Sequence, residues 1–276
     1  MSEFDDSSRQ ADELQSEATA ISSERSGLSR RSFLAKSGAA GLGALALYAT
    51  PKIMTVNARA AYSAATGVKT GPNVVITKTF GSLPETEFGG SGIPNHAVAI
   101  TEITGLAGGI SIKMGLTATQ RFSNPAVDND GAGNFTAPNG LESGAGKWNF
   151  NYYMKVTGGS FADCKFCLLY DFDPAVANAQ SGWGIVDFNA AVVALGTAAA
   201  LPLTTKIEDS QNSTFSWLDG AAPSYVTPPS HTPFSADALG KYGFALIAKD
   251  AGGSEIGRTE MSVNVVDAST YVPPTP

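Results

Sequence analysis

The feature that most constrains the fold is an alternation of period two. In "KWNFNYYMKV", Trp148, Phe150, Tyr152, Met154 and Val156 fall on one side of an extended chain, and Lys147, Asn149, Asn151, Tyr153 and Lys155 fall on the other. Successive Cβ atoms of a strand point to opposite faces, so this pattern predicts one buried and one wet face; a helix would scatter both sets. The stretch "GISIKMGLTATQRF" repeats it, with Ile110, Ile112, Met114, Leu116 and Ala118 inward and Ser111, Lys113, Thr117 and Thr119 outward. Further strands are predicted in "NVVITKTF" from Asn73, "AVAITEI" from Ala97, "GWGIVDFN" from Gly182, "STFSWL" from Ser213, "KYGFALIAKD" from Lys241 and "RTEMSVNVV" from Arg258. Gly, Pro, Asn and Asp clusters punctuate them. Two segments depart from the pattern: "NAAVVALGTAAALPL" suits a short helix, and the Pro-rich "DGAAPSYVTPPSHTP" cannot be an inner strand.

Near the C-terminus, "FSADALGKYGFALIAKDAGGSEIGRTEMSVNVVD" reads as a strand, a Gly-containing turn and a second strand. Its lead-in "DALGKY" sets Tyr242 just after a tight turn, a position that resembles the tyrosine corner of immunoglobulin-like sandwiches. The chain is therefore expected to be all-β: an antiparallel β-sandwich of immunoglobulin-like, Greek-key type. A single domain is expected over residues 61–270, followed by a Pro-rich tail over 271–276.

Residues 1–60 read as an address. The polar stretch before Leu28 has no apolar stripe to bury. It is followed by "SRRSFLAK", in which Arg30, Arg31, Phe33 and Leu34 resemble a twin-arginine (Tat) export signal. The apolar run after it, "SGAAGLGALALYA", has 13 residues, fewer than the ~20 needed to span a bilayer. It suits a signal-peptide core, disordered or helical, rather than an anchor. Ala58 and Ala60 supply the small-x-small pattern for cleavage after Ala60, with Ala65 as an alternative. The resemblance implies a bacterial or archaeal cell, the Tat translocase and signal peptidase as partners during export, and a periplasmic or extracellular product with no membrane association after cleavage. Acidic and basic residues balance within 1–60, so the remainder keeps the net charge of −7, which argues against nucleic acid and anionic membrane as partners.

The two cysteines, Cys164 and Cys167, share a C-x-x-C spacing in "FADCKFCLLYDFDP". On a strand from Ala162 to Phe172, parity turns Cys164 inward with Phe166, Leu168, Tyr170 and Phe172, and Cys167 outward. About 10 Å of rise separates them, against the ~4 Å between Cβ atoms that a disulfide needs. No helix start follows to stabilise a thiolate, and the two histidines, His96 and His231, stand alone in their segments, so neither redox chemistry nor a zinc site is expected. Calcium suits the sequence better: "VDNDGAGN" sets Asp128, Asp130 and Asn134 around two glycines, without the acidic closing position of an EF-hand loop. Otherwise no cofactor is called for.

Asp171 and Asp173, two apart in "YDFDP", could act as paired carboxylates on a sugar, or simply as turn residues before a proline. There is no G-x-S-x-G elbow, phosphate loop or H-E-x-x-H motif, so an enzyme is the minority reading and no catalytic residue is assigned. Trp183, Trp217, Tyr225 and Tyr271 lie near strand ends, where exposed rings would stack on sugars.

The order of landmarks, "GISIKMGLTATQRF", "GAGNFTAPNG", "KWNFNYYMKV", "YDFDP", "EDSQNSTFSW" and "FSADALGKYGFALIAKDAGG", is similar to that of the secreted bacterial β-sandwich proteins that carry PEP-CTERM sorting tails. The resemblance spans residues 70–267, and the sorting tail is expected to be absent beyond "YVPPTP". It implies an exported surface or matrix component. The expected function is a non-enzymatic surface, matrix or binding module with a glycan or matrix partner, recognised through loops at one end of the sandwich. The alternatives are a glycan-active hydrolase using Asp171 and Asp173, and a self-assembling surface subunit.

Overall fold

The alternating segments pair into two stacked sheets. The computed structural model describes residues 73–88, 95–121, 127–175 and 180–274. The export motif (Arg30, Arg31, Phe33, Leu34) and the cleavage residues Ala58 and Ala60 lie outside the described residues. Among the described residues one sheet has five strands, in the order β1 (Val75–Gly81), β2 (Val98–Thr104), β3 (Ser111–Gln120), β8 (Trp148–Thr157) and β11 (Lys206–Gln211). The other has seven: β12 (Val226–Thr227), β10 (Gly184–Asp187), β9 (Lys165–Tyr170), β13 (Gly240–Lys249), β14 (Glu255–Val266), β5 (Asn134–Pro138) and β4 (Asp128–Asn129). A short ladder joins β6 (Leu141–Glu142) to β7 (Ala145–Gly146).

The pairing of β8 with β11 on one sheet, and of β9, β13 and β14 side by side on the other, is the strand arrangement of immunoglobulin-like sandwiches. The chain crosses between sheets from β8 to β9 and from β10 to β11, as in a Greek key. At the start of β13 the Tyr242 hydroxyl donates to the Ala238 carbonyl at 3.1 Å, closing the expected tyrosine corner. One pair departs from the antiparallel expectation: β5 runs parallel to β14, from Asn134 opposite Ser262 to Pro138 opposite Val266.

The core lies between the sheets. Every residue assigned to the inner face of β3 and β8 is buried there: Ile112, Met114, Leu116 and Ala118, and Trp148, Phe150, Tyr152, Met154 and Val156. Phe150 stacks on Phe244 of the opposite sheet with centroids 4.8 Å apart. The helix expected after β10 is α1 (Phe188–Leu195); Asp187 caps it by accepting from the Ala190 N–H at 2.9 Å.

Three strand expectations need correction. The segment from Ser213 is not a strand: Ser216–Leu218 is a 3-10 turn, and the strand lies earlier, at β11. "GWGIVDFN" is extended only over Gly184–Asp187 before α1 begins. The strand holding the second cysteine starts at Lys165, because Asp163 folds the chain before it into a turn, its carboxylate accepting from the Ser160 N–H at 3.0 Å.

Candidate functional site

The outer face of the five-stranded sheet is not simply wet, which corrects the one-face-buried expectation. Thr117, Thr119, Asn151 and Tyr153, all on the outward parity, are buried. Residues 82–88 run across this face as a strap. Leu83 and Phe88 pack with Val98, Ile100 and Tyr153 in a second, smaller apolar cluster. Gly115 makes the approach feasible, since a Cβ there would stand 2.8 Å from Leu83 Cδ2 and 3.0 Å from Val98 Cγ1. At the far side of the sheet, Glu208 Oε2 accepts from the Glu87 N–H at 2.8 Å and the Phe88 N–H at 3.2 Å. That carboxylate pins the strap to β11.

Beside the strap, toward one end of the sandwich, lies a recess of about 200 Å³. Its floor follows from the register. Glu102 of β2 is opposite Lys113 of β3, Lys113 is opposite Lys155 of β8, and Lys155 is opposite Lys206 of β11, so three lysines stand abreast, of which Lys113 and Lys155 line the recess. Ser111 and Thr157 are opposite each other one pleat further along, and Thr104 closes the end of β2. Glu85 of the strap forms the upper wall.

The charges in this row are unevenly matched. Lys113 Nζ is 3.1 Å from Glu85 Oε1 and 2.8 Å from Glu102 Oε1. The hydrogen bond to Glu102 raises its pKa above the ordinary lysine value, against the opposing effect of burial. Lys206 is paired with Glu208. Lys155, half-buried between them, has no carboxylate within ion-pair distance among the described residues. Tyr153 lies under the strap beside Glu85 and Glu208; burial pushes its pKa well up, and its hydroxyl makes no hydrogen bond of ordinary geometry.

The residues singled out from sequence lie elsewhere. Cys164 is in the sandwich core as expected and neither cysteine is in a disulfide. Cys167 does turn to the opposite face, yet it is also buried, under Leu169 and Trp183 and against Ala245 and Ile247, and that burial raises its thiol pKa. Asp171 and Asp173 lie just past the end of β9 at Tyr170. Asp171 accepts from the Asp173 N–H at 3.0 Å, and Asp173 accepts from the Ala175 N–H at 3.0 Å. Asp171 is buried and Asp173 half-buried.

Asp128 and Asn134 lie on the two strands of the β4–β5 hairpin, Asp128 opposite Thr136, with Asp130 at its turn. Asp130 accepts from the Ala132 and Asn134 N–H groups and from the Asn134 side-chain amide, and the last of these chiefly lowers its pKa. Asn134 Oδ1 accepts from Ser262 Oγ at 2.7 Å. Among the described residues no group of three or more His, Cys, Asp or Glu side chains is placed to hold a metal ion. His96 and His231 are both exposed.

Two of the four rings expected at the surface are core residues: Trp217 and Tyr225 are buried. Trp183 and Tyr271 are half-exposed; Tyr271 accepts from the Asp128 N–H at 3.3 Å.

Sequence reasoning assigned Lys113 and Lys155 to the outward face but did not bring them together with Glu85, Glu102 and Thr157, because the register that aligns them joins strands far apart in sequence. The chain matches no protein-family model and no curated protein.

Proposed function

We propose that the chain is an exported, non-enzymatic β-sandwich acting as a cell-surface, matrix or binding module, and that the recess on the outer face of the five-stranded sheet is its recognition surface. The observation that carries this reading is the row Glu102, Lys113, Lys155, Lys206. Like charges directly opposite on neighbouring strands are destabilising, and local rules of this kind are broken chiefly where function requires it. The strap adds a wall that an isolated sheet would lack. Export rests on the twin-arginine resemblance; no helix among the described residues is long and apolar enough to cross a membrane. Asp171 and Asp173 each support their own turn, which gives the hydrolase alternative no help.

The test is thermal shift of the full chain against a panel of soluble glycans, each with and without calcium, since a ligand of the folded state raises the midpoint by mass action. A rise with one glycan class supports recognition. No rise across the panel at millimolar concentrations removes the glycan-binding form of the proposal, and a rise with calcium alone points to Asp128, Asp130 and Asn134 instead.

A second reading is favoured by one observation. β1 is an edge strand of seven residues exposed along most of its length, with Val75 and Ile76 open to solvent. An unprotected edge of this kind is a template for pairing with another chain, so self-assembly through β1 is the alternative. Size-exclusion chromatography across a wide concentration range separates them: a constant monomer volume removes the assembly reading.

A further inference from the structure

Resting on the reading of the recess as a recognition surface, we infer that its ligand is an acidic sugar unit, whose carboxylate is taken by Lys155. Of the three lysines abreast, Lys113 is held by two carboxylates and Lys206 by one, while Lys155 has none within ion-pair distance among the described residues. Folding leaves Lys155 half-buried, with a lysine opposite it on each neighbouring strand. An anionic group bridging it from solvent would relieve the repulsion along the row, and a charge-assisted hydrogen bond to a carboxylate is the strong form of that contact.

The rest of the lining selects for hydroxyls. Thr104, Ser111 and Thr157 offer three side-chain hydroxyls that both donate and accept. Glu85 and Glu102 are engaged by Lys113, but a carboxylate has about four lone-pair sites and keeps acceptor capacity for a ligand O–H. A cavity of about 200 Å³ is on the scale of a single sugar ring. An extended polyanion fits poorly, because the chain carries a net charge of −7 and the recess itself holds acidic groups. One cation and several hydroxyls describe a hexuronate unit better than a phosphate-rich ligand, which would require several unpaired cations.

The experiment is an amide chemical-shift titration of the full chain with glucuronate and, separately, with glucose, repeated on Lys155→Met and Lys155→Arg. Glucuronate is expected to shift the amides of Thr104, Ser111 and Thr157 and to bind about tenfold more tightly than glucose, the difference one charge-assisted contact contributes. Lys155→Met should reduce that preference to near unity, and Lys155→Arg should keep it. Unchanged resonances in β9 and β13 show that each variant is folded. Equal binding of both sugars at the recess overturns the acidic-ligand inference and leaves the recognition reading standing. Retention of the preference by Lys155→Met also overturns it. If neither sugar moves an amide of the recess, the glycan-recognition reading falls with it.

Discussion

Asp209→Asn should make the protein more stable at neutral and alkaline pH and nearly unchanged in acid. Asp209 lies on the core-facing parity of β11, opposite Tyr152, and is fully buried. Its Oδ1 accepts from the Ser210 N–H at 2.8 Å and its Oδ2 from Gln211 Nε2 at 2.6 Å, and no lysine or arginine pairs with it among the described residues. Burial dominates those two hydrogen bonds and, with a small push from Glu208, raises the carboxyl pKa from 3.8 to about 7. The folded state thus binds the proton more tightly than the unfolded chain does. The associated stability is fully present below pH 4 and is lost as pH rises through about 7. Three units at ~1.4 kcal/mol each set an upper limit of about 4 kcal/mol, and relaxation around the site should leave roughly half of it.

The asparagine amide is neutral at every pH and finds an acceptor in Gln211 Oε1, which has no hydrogen bond, once the Gln211 amide turns over. Urea unfolding of the wild type and of Asp209→Asn at half-unit steps from pH 4 to 9 measures the effect, and the difference between the two curves cancels the other titrating groups. The variant should gain on the wild type by about 2 kcal/mol between pH 4 and 8. A flat difference, or a wild type that gains on the variant as pH rises, refutes the reasoning.

Three further outcomes follow from the same packing. Glu208→Ala removes the acceptor that holds the Glu87 and Phe88 N–H groups, and should cost about 1–3 kcal/mol with faster hydrogen exchange at Leu83–Phe88; unchanged exchange there means that Glu208 does not pin the strap. Tyr242→Phe keeps the buried ring and deletes only the hydrogen bond to Ala238, so a loss of about 1–2 kcal/mol in denaturant unfolding is expected, and none if the corner is dispensable. Cys164 and Cys167 should resist alkylation in the folded protein, react fully in denaturant, and show the same mass with and without reductant; a two-dalton difference would contradict the free, buried thiols.

The strands that alternate cleanly were legible in the sequence, and so was the tyrosine corner, because both signals are local. β11 was not. Its core-facing positions hold Ile207, Asp209 and Gln211, so the apolar period that marks a half-buried strand is broken by the two polar residues that tertiary packing places inside. β5 escaped notice because it is short and its long partner, β14, runs parallel to it from the far end of the chain. The burial of Thr117, Thr119 and Asn151 was invisible for a related reason. Period two separates the faces, but it cannot say which of them other segments will cover, as residues 82–88 cover Val98, Ile100 and Tyr153. Asn151, on the same face, is buried and donates to the Thr117 carbonyl and to Thr119 Oγ1.

The candidate site was legible only in its parts. Lys113 and Lys155 were placed on the outward face, while their alignment with Glu102 and Lys206 depends on three strand registers that the sequence does not display. Gly115 was the one local signal of the strap, since a glycine inside a strand often marks a close approach. The more conspicuous C-x-x-C and D-x-D motifs drew attention to a stretch whose cysteines are packing residues and whose carboxylates hold a turn.

On the proposal above, recognition takes place on the outer face of the five-stranded sheet. Mapping amide shift changes over the whole chain, with whichever panel glycan raises the thermal midpoint, tests it most directly. Changes clustered at Glu85, Thr104, Ser111, Lys155 and Thr157 are expected. Changes clustered instead around Asp171 and Asp173, or around Trp183, would contradict it.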